Sequence, residues 1–350
     1  MARKDTHPHL AAEVRIFVPM SVTRILVLRF SSIGDIVLTT PVVRQLHAQL
    51  EGEVEIHYCT RAAYAPLVKH HPAVHTVHAF KTDLTEVLDA LMGTEFHYVI
   101  DLHRNVRSSI AKRKVKALDF TLDKRNVDKW LLVRFGVDRL KGQHIVERYL
   151  ATVKAFGLED DGQGLDLYIP EADRVPASAL PAIWQPGHAA LAIGAAHEGK
   201  RMNEEQLTSI CDLLESPVVL LGGPDDAELG ARIAEQAGNH VWNACGAFSI
   251  LGSADLARQA GVLIAGDTGL MHIATAVQTP VISVWGCTTP SIGMSPWRPA
   301  PGSAIVEPIG RTKRPCSKLG NRCKYGMANC CISTVEPERI ADHANQVLEA

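Results

Sequence analysis

Aromatic side chains make up only 5% of this 350-residue chain, too few for the stacking platforms that hold single-stranded nucleic acid. An excess of one charge is also missing. The 36 Lys and Arg against 38 Asp and Glu leave a formal net charge of −2, which excludes a general nucleic-acid binder. No apolar run reaches the ~20 residues that span a bilayer. The opening residues lack the apolar core of a signal peptide. A cytoplasmic protein is expected, with its folded part beginning near Met20. No GxGxxG follows the first apolar strand, which argues against a nicotinamide dehydrogenase.

The eight cysteines contain no CxxC pair. Cys316, Cys323, Cys330 and Cys331 are clustered, but two gaps of six residues and an adjacent pair do not fit a zinc knuckle. Stable disulfides are disfavoured in a reducing compartment. Reduced structural thiols are therefore expected, with no metal. Cys59, Cys211, Cys245 and Cys287 read as thiols in or near the core.

What is present is two rounds of strand–turn–helix. Gly261 to Pro290 holds an apolar strand (262–265), a small polar turn (Gly266, Asp267, Thr268, Gly269), a helical run from Leu270 to Val277 and a second strand (281–285). Glycines let the backbone approach a ligand, and free N–H groups at a helix start point at anions, so this turn suits a diphosphate. Near the front, a strand from Arg24 to Phe30 runs into Ser31, Ser32, Ile33, Gly34 and Asp35, with Thr40 and Pro41 as N-cap and first helical residue of the next run.

Further strands are expected at 54–58, 74–79 and 98–102 in the first half, and at 189–193 and 218–221 in the second. Helices are expected at 42–50, 83–92 and 144–155, then at 203–214, 227–236 and 253–259. The proline-containing stretch 162–187 reads as a linker plus an edge strand. The predicted fold class is α/β, with two Rossmann-like domains facing across a cleft lined by strand-end turns. The boundaries are 20–175 and 176–335, and an amphipathic helix in 336–350 is expected to pack back on the first domain.

RFSSIGDIVLTTPVVRQL and GDTGLMHIATAVQTPVISVWGCTTP resemble the two signatures of glycosyltransferase family 9, the lipopolysaccharide heptosyltransferases. GAAHEGKRMNEEQL, LGGPDDAE and the cysteine-rich tail ending in ISTVEPERI are similar to other segments of that family, so the likeness runs from about Thr23 to Ile340. The resemblance implies a GT-B fold, an acceptor-binding first domain, a nucleotide-sugar-binding second domain and inverting transfer. It implies no obligatory metal, and no DxD motif is evident; Asp225-Asp226 is a neighbouring pair in a turn. ADP-heptose would be the donor and the Kdo/heptose inner core of lipopolysaccharide the acceptor, reached by peripheral contact with the inner membrane. The alternatives are another nucleotide sugar or surface-glycan acceptor, or a nucleotide-sugar 2-epimerase of the same architecture.

By the same resemblance Asp35 is the general base, since attack at an anomeric carbon requires the acceptor hydroxyl to lose its proton. A helix-capping role is the plainer reading of that residue. Lys200, after the 189–193 strand and Gly194, would neutralise charge on the leaving diphosphate, with Arg201 as helper. Ser31 and Gly34 would shape the loop near the donor. Thr268, Gly269 and Leu270 would offer backbone N–H groups to phosphate. Asp267 beside a diphosphate is repulsive, so it reads as a cap, a hydroxyl acceptor or a partner of Lys200. His272 could reach phosphate or sugar, or be structural. Asp226 and Glu228 compete for the nucleotide ribose, each equally a first-turn acid stabilising its own helix. Arg61, His103, Arg104, Arg107, Arg125 and Lys129 are candidate contacts to an acidic acceptor.

Overall fold

A computed structural model describes residues 22–180, 184 and 187–350. The expected start near Met20 lies outside the described residues, as does part of the 162–187 linker.

The first sheet contains β1 (Thr23–Leu28), β2 (Val54–Arg61), β3 (Val74–Phe80), β4 (Tyr98–Asp101) and β5 (Leu118–Thr121), in the order β3-β2-β1-β4-β5. The second contains β6 (Ala189–Ala192), β7 (Val218–Leu221), β8 (Val241–Asn243), β9 (Val262–Gly266), β10 (Val281–Val284) and β11 (Ala304–Val306), in the order β11-β10-β9-β6-β7-β8. Every pairing is parallel. Parallel strands covered on both faces need continuous apolar runs. The central strands supply them: β6 and β9 are buried at every position, and β1 from Ile25 on.

In each sheet the strand order reverses beside the first strand, between β1 and β4 and between β6 and β9. A crevice opens at the carboxyl ends of strands at such a switch point. The turns after β1, β4, β6 and β9 therefore carry the site.

Three strands have no sequence signal. β5 has exposed or half-exposed residues throughout, and β8 and β11 are three-residue edges. The edge strand expected within 162–187 is not among the described residues, which form the short turns Glu171–Asp173 and Ala177–Ala179 instead. The last helix, Pro337–Leu348, also departs from expectation. It packs on the second sheet, placing Ile340, Ala341 and Ala344 in one core with Leu207 and Ile210 of helix Glu204–Leu213. The reason lies in how the chain enters it. Gln206 Nε2 donates to the carbonyls of Ile332 (3.0 Å) and Val335 (2.8 Å), so the helix starts already beside Glu204–Leu213.

The halves are also joined by the segment after β10. Ile145 N donates to Gly293 O at 2.8 Å and Arg148 Nη2 to Ile292 O at 3.1 Å. The His144 and Trp297 rings stack at 4.7 Å.

Candidate active site

Asp35 is the third residue of the short helix Ile33–Val37, directly past β1. Its Oδ2 accepts from Ser32 N (3.3 Å) and Ser32 Oγ (2.9 Å), the reciprocal half of a capping box. Its Oδ1 lies 2.8 Å from Arg29 Nη2. Asp35 thus caps the helix, the plainer of its two readings, and is also ion-paired at the strand end. Burial would raise its pKa, but the Arg29 guanidinium, the two Ser32 hydrogen bonds and the field of the His272 ring outweigh that, and it ends below the ordinary carboxylate value.

Arg29 was not foreseen from the sequence. It is 8% exposed, donates Nε to Ser31 O (2.7 Å) and Nη1 to Leu102 O (2.7 Å), and so ties the ends of β1 and β4 to the carboxylate. Its only sequence signal is a charge at the inner end of an otherwise apolar strand.

Across the cleft, Lys200 Nζ lies 2.7 Å from Asp267 Oδ2, which also accepts from Thr288 Oγ1 at 2.9 Å. Of the readings open for Asp267, the structure shows the partner of Lys200. The pairing removes the repulsion that a lone carboxylate would exert on a diphosphate, and Thr288 orients it. Thr268 caps helix Gly269–Ala276 in an extended conformation, with its Oγ1 buried and without a hydrogen-bond partner. The first-turn N–H groups, including those of Gly269 and Leu270, have no intrahelical acceptor, the arrangement that can receive an anion.

The two halves meet at Gly34 and Gly269. A Cβ on Gly34 would collide with His272 Cδ2, and one on Gly269 would lie 2.7 Å from Ile33 Cβ. His272 is 2% exposed and its Nδ1 has no partner. Burial drives its pKa down to about 4, against the opposing pull of Asp267 and Asp35 and helped by Lys200. It is therefore a neutral imidazole within electrostatic reach of all three charged groups.

In the turn after β7, Asp226 is 7% exposed and accepts from Gly223 N at 2.9 Å. Gly194 has no room for a Cβ against Asp226 Oδ2. Arg201 Nη1 stands 3.4 Å from Asp226 Oδ1, which makes no hydrogen bond, while Arg201 Nε donates to Ala195 O at 2.7 Å. Glu228 is exposed and pairs with Arg232 one turn on (3.3 Å), as a solvated first-turn acid does. Asp226 is the inward carboxylate of that turn.

The basic candidates separate into two groups. Arg61 ends β2 with a buried, unpartnered Nε, and His103 packs on Phe30 at 5.0 Å with Nδ1 unpartnered. Burial, with the charges of Arg29 and Lys124, drives His103 to about 4. Lys129 is driven to about 8 by burial and by Arg148, in the field of Asp35, Lys318 and Lys124. Arg29, Lys124 and Lys129 thus bring positive charge into the field of Asp35, while His103 stays neutral. Arg148, in helix Ile145–Thr152, was missed by the sequence reading; it is 4% exposed, with an unpartnered Nε.

The other candidates are occupied elsewhere. Arg104 donates to Leu122 O (3.1 Å) and pairs with Asp123 (3.2 Å). Arg125 is bound to Asp128, Gln143 (3.2 Å) and Arg139 O (3.0 Å), bracing a loop. Arg107 is exposed, and its field acts on Asp83.

Two facing Rossmann-like halves, with a carboxylate on one and a cation and helix start on the other, define a GT-B glycosyltransferase. The sequence profile of glycosyltransferase family 9 (heptosyltransferase) matches residues 84–322, and the chain belongs to that family. Lipopolysaccharide heptosyltransferase 1 of Campylobacter coli is 21% identical, over 91% of this chain and 96% of its own. A family 9 glycosyltransferase structure from Veillonella parvula superposes with a TM-score of 0.72 at 21% identity, covering 93% of this chain and 97% of that one. The Escherichia coli heptosyltransferase WaaC with ADP gives 0.67 at 20% identity, covering 93% and 100%.

Proposed function

We propose that this enzyme transfers a heptose from ADP-heptose, with inversion, to the Kdo/heptose inner core of lipopolysaccharide. The observation that carries the reading is the division of charge across the cleft: Asp35 held by Arg29 on one side, Lys200 held by Asp267 on the other. The relatives' names, lipopolysaccharide heptosyltransferase and heptosyltransferase with ADP, supply the donor and acceptor class.

In the reaction, the acceptor oxygen bonds to the anomeric carbon as the bond from that carbon to the diphosphate breaks. Asp35 receives the hydroxyl proton. The negative charge leaving on ADP is met by Lys200 and by the start of helix Gly269–Ala276. Neutral His272, between the halves, can hydrogen-bond sugar or phosphate without adding charge. Asp226 is placed for the ribose. Arg61, Lys124, Lys129 and Arg148, with neutral His103 beside them, form the acceptor side, where an anionic core sugar would find cations without a carboxylate partner among the described residues.

No helix among the described residues is long and apolar enough to cross a membrane. Helix Asn126–Phe135 exposes Val127 (69%), Trp130 (53%) and Phe135 (61%) beside Lys124 and Lys129. That combination suits the edge of an anionic bilayer, where the lipid-anchored acceptor would arrive.

The test is ADP release from ADP-heptose with and without a deacylated Kdo-containing acceptor, with product mass as second readout. Acceptor-dependent release and a mass gain of one heptose support the proposal. Release without acceptor would overturn it in favour of a hydrolase or epimerase.

A further inference from the structure

Five sulfurs converge beneath the Lys200 turn. Cys316, Cys323 and Cys331 form a triangle with Sγ–Sγ distances of 3.9, 3.7 and 3.7 Å. Cys287, from the loop after β10, closes the group, with all four sulfurs within 4.8 Å of one another. A tetrahedron of thiolates at the ~2.3 Å zinc–sulfur distance has edges of about 3.8 Å. The three measured sides of the triangle match that edge. None of these cysteines is in a disulfide.

Three further observations point the same way. Residues 307–331 contain no helix or strand, yet Cys316 and Cys331 are buried in the second-domain core. So long an irregular stretch inside a compact domain is uncommon, and a cross-link is one way to fix it. Between Glu307 and Glu336 the chain carries six Lys or Arg and no acidic residue. A divalent ion with four thiolates is a dianion, and such a segment offsets it. The fifth thiol, Cys330, lies 3.0 Å from Cys287 Sγ, placed to donate its S–H to that thiolate.

We propose that Cys287, Cys316, Cys323 and Cys331 form a tetrathiolate site for one soft divalent ion, zinc or iron. Binding converts four thiols to four metal-bound thiolates and releases four protons. This departs from the expectation that spacing alone supports, because Cys287 comes from a different loop. The frame the ion would lock runs straight to the donor site. Cys316 N donates to Cys287 O (2.7 Å), Cys287 N to Gly199 O (3.1 Å) and Gly199 N to Gly320 O (3.0 Å). A Cβ on Gly320 would lie 2.7 Å from Lys200 Cγ.

The experiment is elemental analysis of the full, reduced chain, followed by chelation and titration with cobalt(II) alone. One equivalent of zinc or iron per chain is expected, with iron betrayed by its visible thiolate charge-transfer bands. Cobalt should then give the intense bands of a tetrahedral thiolate complex. Cys323→Ser, at the half-buried rim, should lose most of the metal and change the cobalt spectrum, while Cys211→Ala keeps both. A folded chain holding less than a tenth of an equivalent and giving no cobalt bands would overturn the site. So would full metal and an unchanged spectrum in Cys323→Ser, or a disulfide among the four in the alkylated native protein. If Cys323→Ser does not fold, the wild-type stoichiometry and cobalt titration decide.

Discussion

Arg29 fixes both the position and the ionisation of Asp35. A carboxylate held below its ordinary pKa is fully charged at neutral pH, but it is a weak base that accepts the proton only as the leaving group departs. Replacing Asp35 by Asn should lower kcat by about 10²–10⁴-fold, with ADP affinity within a factor of two of wild type by calorimetry. Replacing Arg29 by Gln removes the pairing charge but keeps a donor. The Asp35 pKa should then rise, so the acidic limb of the kcat/KM profile should move to higher pH. An unmoved limb would show that Arg29 does not set the ionisation. Lys200→Ala strips Asp267 of its partner and leaves a carboxylate facing the diphosphate. Weaker ADP binding and lower kcat are expected, with partial recovery of ADP affinity in Lys200→Ala/Asp267→Asn. Asp35 and Lys200 were legible as candidates because they stand in strand-end turns within recognisable motifs. Arg29 and Arg148 were not, because a cation just past an apolar strand or within an amphipathic helix shows its purpose only when its partners are seen, Leu102 O and Asp35 for Arg29 and Ile292 O for Arg148.

The short helices Ile33–Val37 and Gly269–Ala276 touch through two glycines, each lacking a side chain where the other helix arrives. Gly34→Ala should therefore act through His272. The single variant is expected to lose stability by roughly 1–3 kcal/mol, as overpacking does. Gly34→Ala/His272→Ala should recover part of it, and a double-mutant cycle by urea unfolding reads the coupling. Additivity would mean that the two residues are not in contact. On the outer surface, Trp130→Ser with Phe135→Ser should weaken binding to anionic vesicles several-fold while leaving turnover of a soluble deacylated acceptor unchanged. The central strands and longer helices were readable from apolar runs and period. The edge strands β5, β8 and β11 were not, because three or four residues are too few to carry a pattern; they are specified by the neighbour they pair with.

For the molecule as a whole, burial is the leading cause that holds four histidines, His57, His103, His144 and His272, near pKa 4. Unfolded, each would titrate near 6.5. Between those values the unfolded chain binds protons that the folded chain refuses, so stability falls as pH drops through 6.5 toward 4. At pH 5 the loss is at most about 2 kcal/mol for each such histidine. A melting temperature well below its pH 7.5 value is expected, and an unchanged one would show that these rings are protonated in the fold. The two-sheet architecture followed from the alternation of strand and helix signals along the chain. The docking of the last helix on the second sheet did not, because an amphipathic face states that it needs cover and not which surface covers it.

One element, the segment through Ile292, Gly293 and Trp297, leaves the sheet that carries Asp267 and is hydrogen-bonded to the helix that carries Arg148. In mechanical terms it is a strap. With the halves tied here and again where Gly34 meets His272, the cleft cannot widen without straining one of the two junctions.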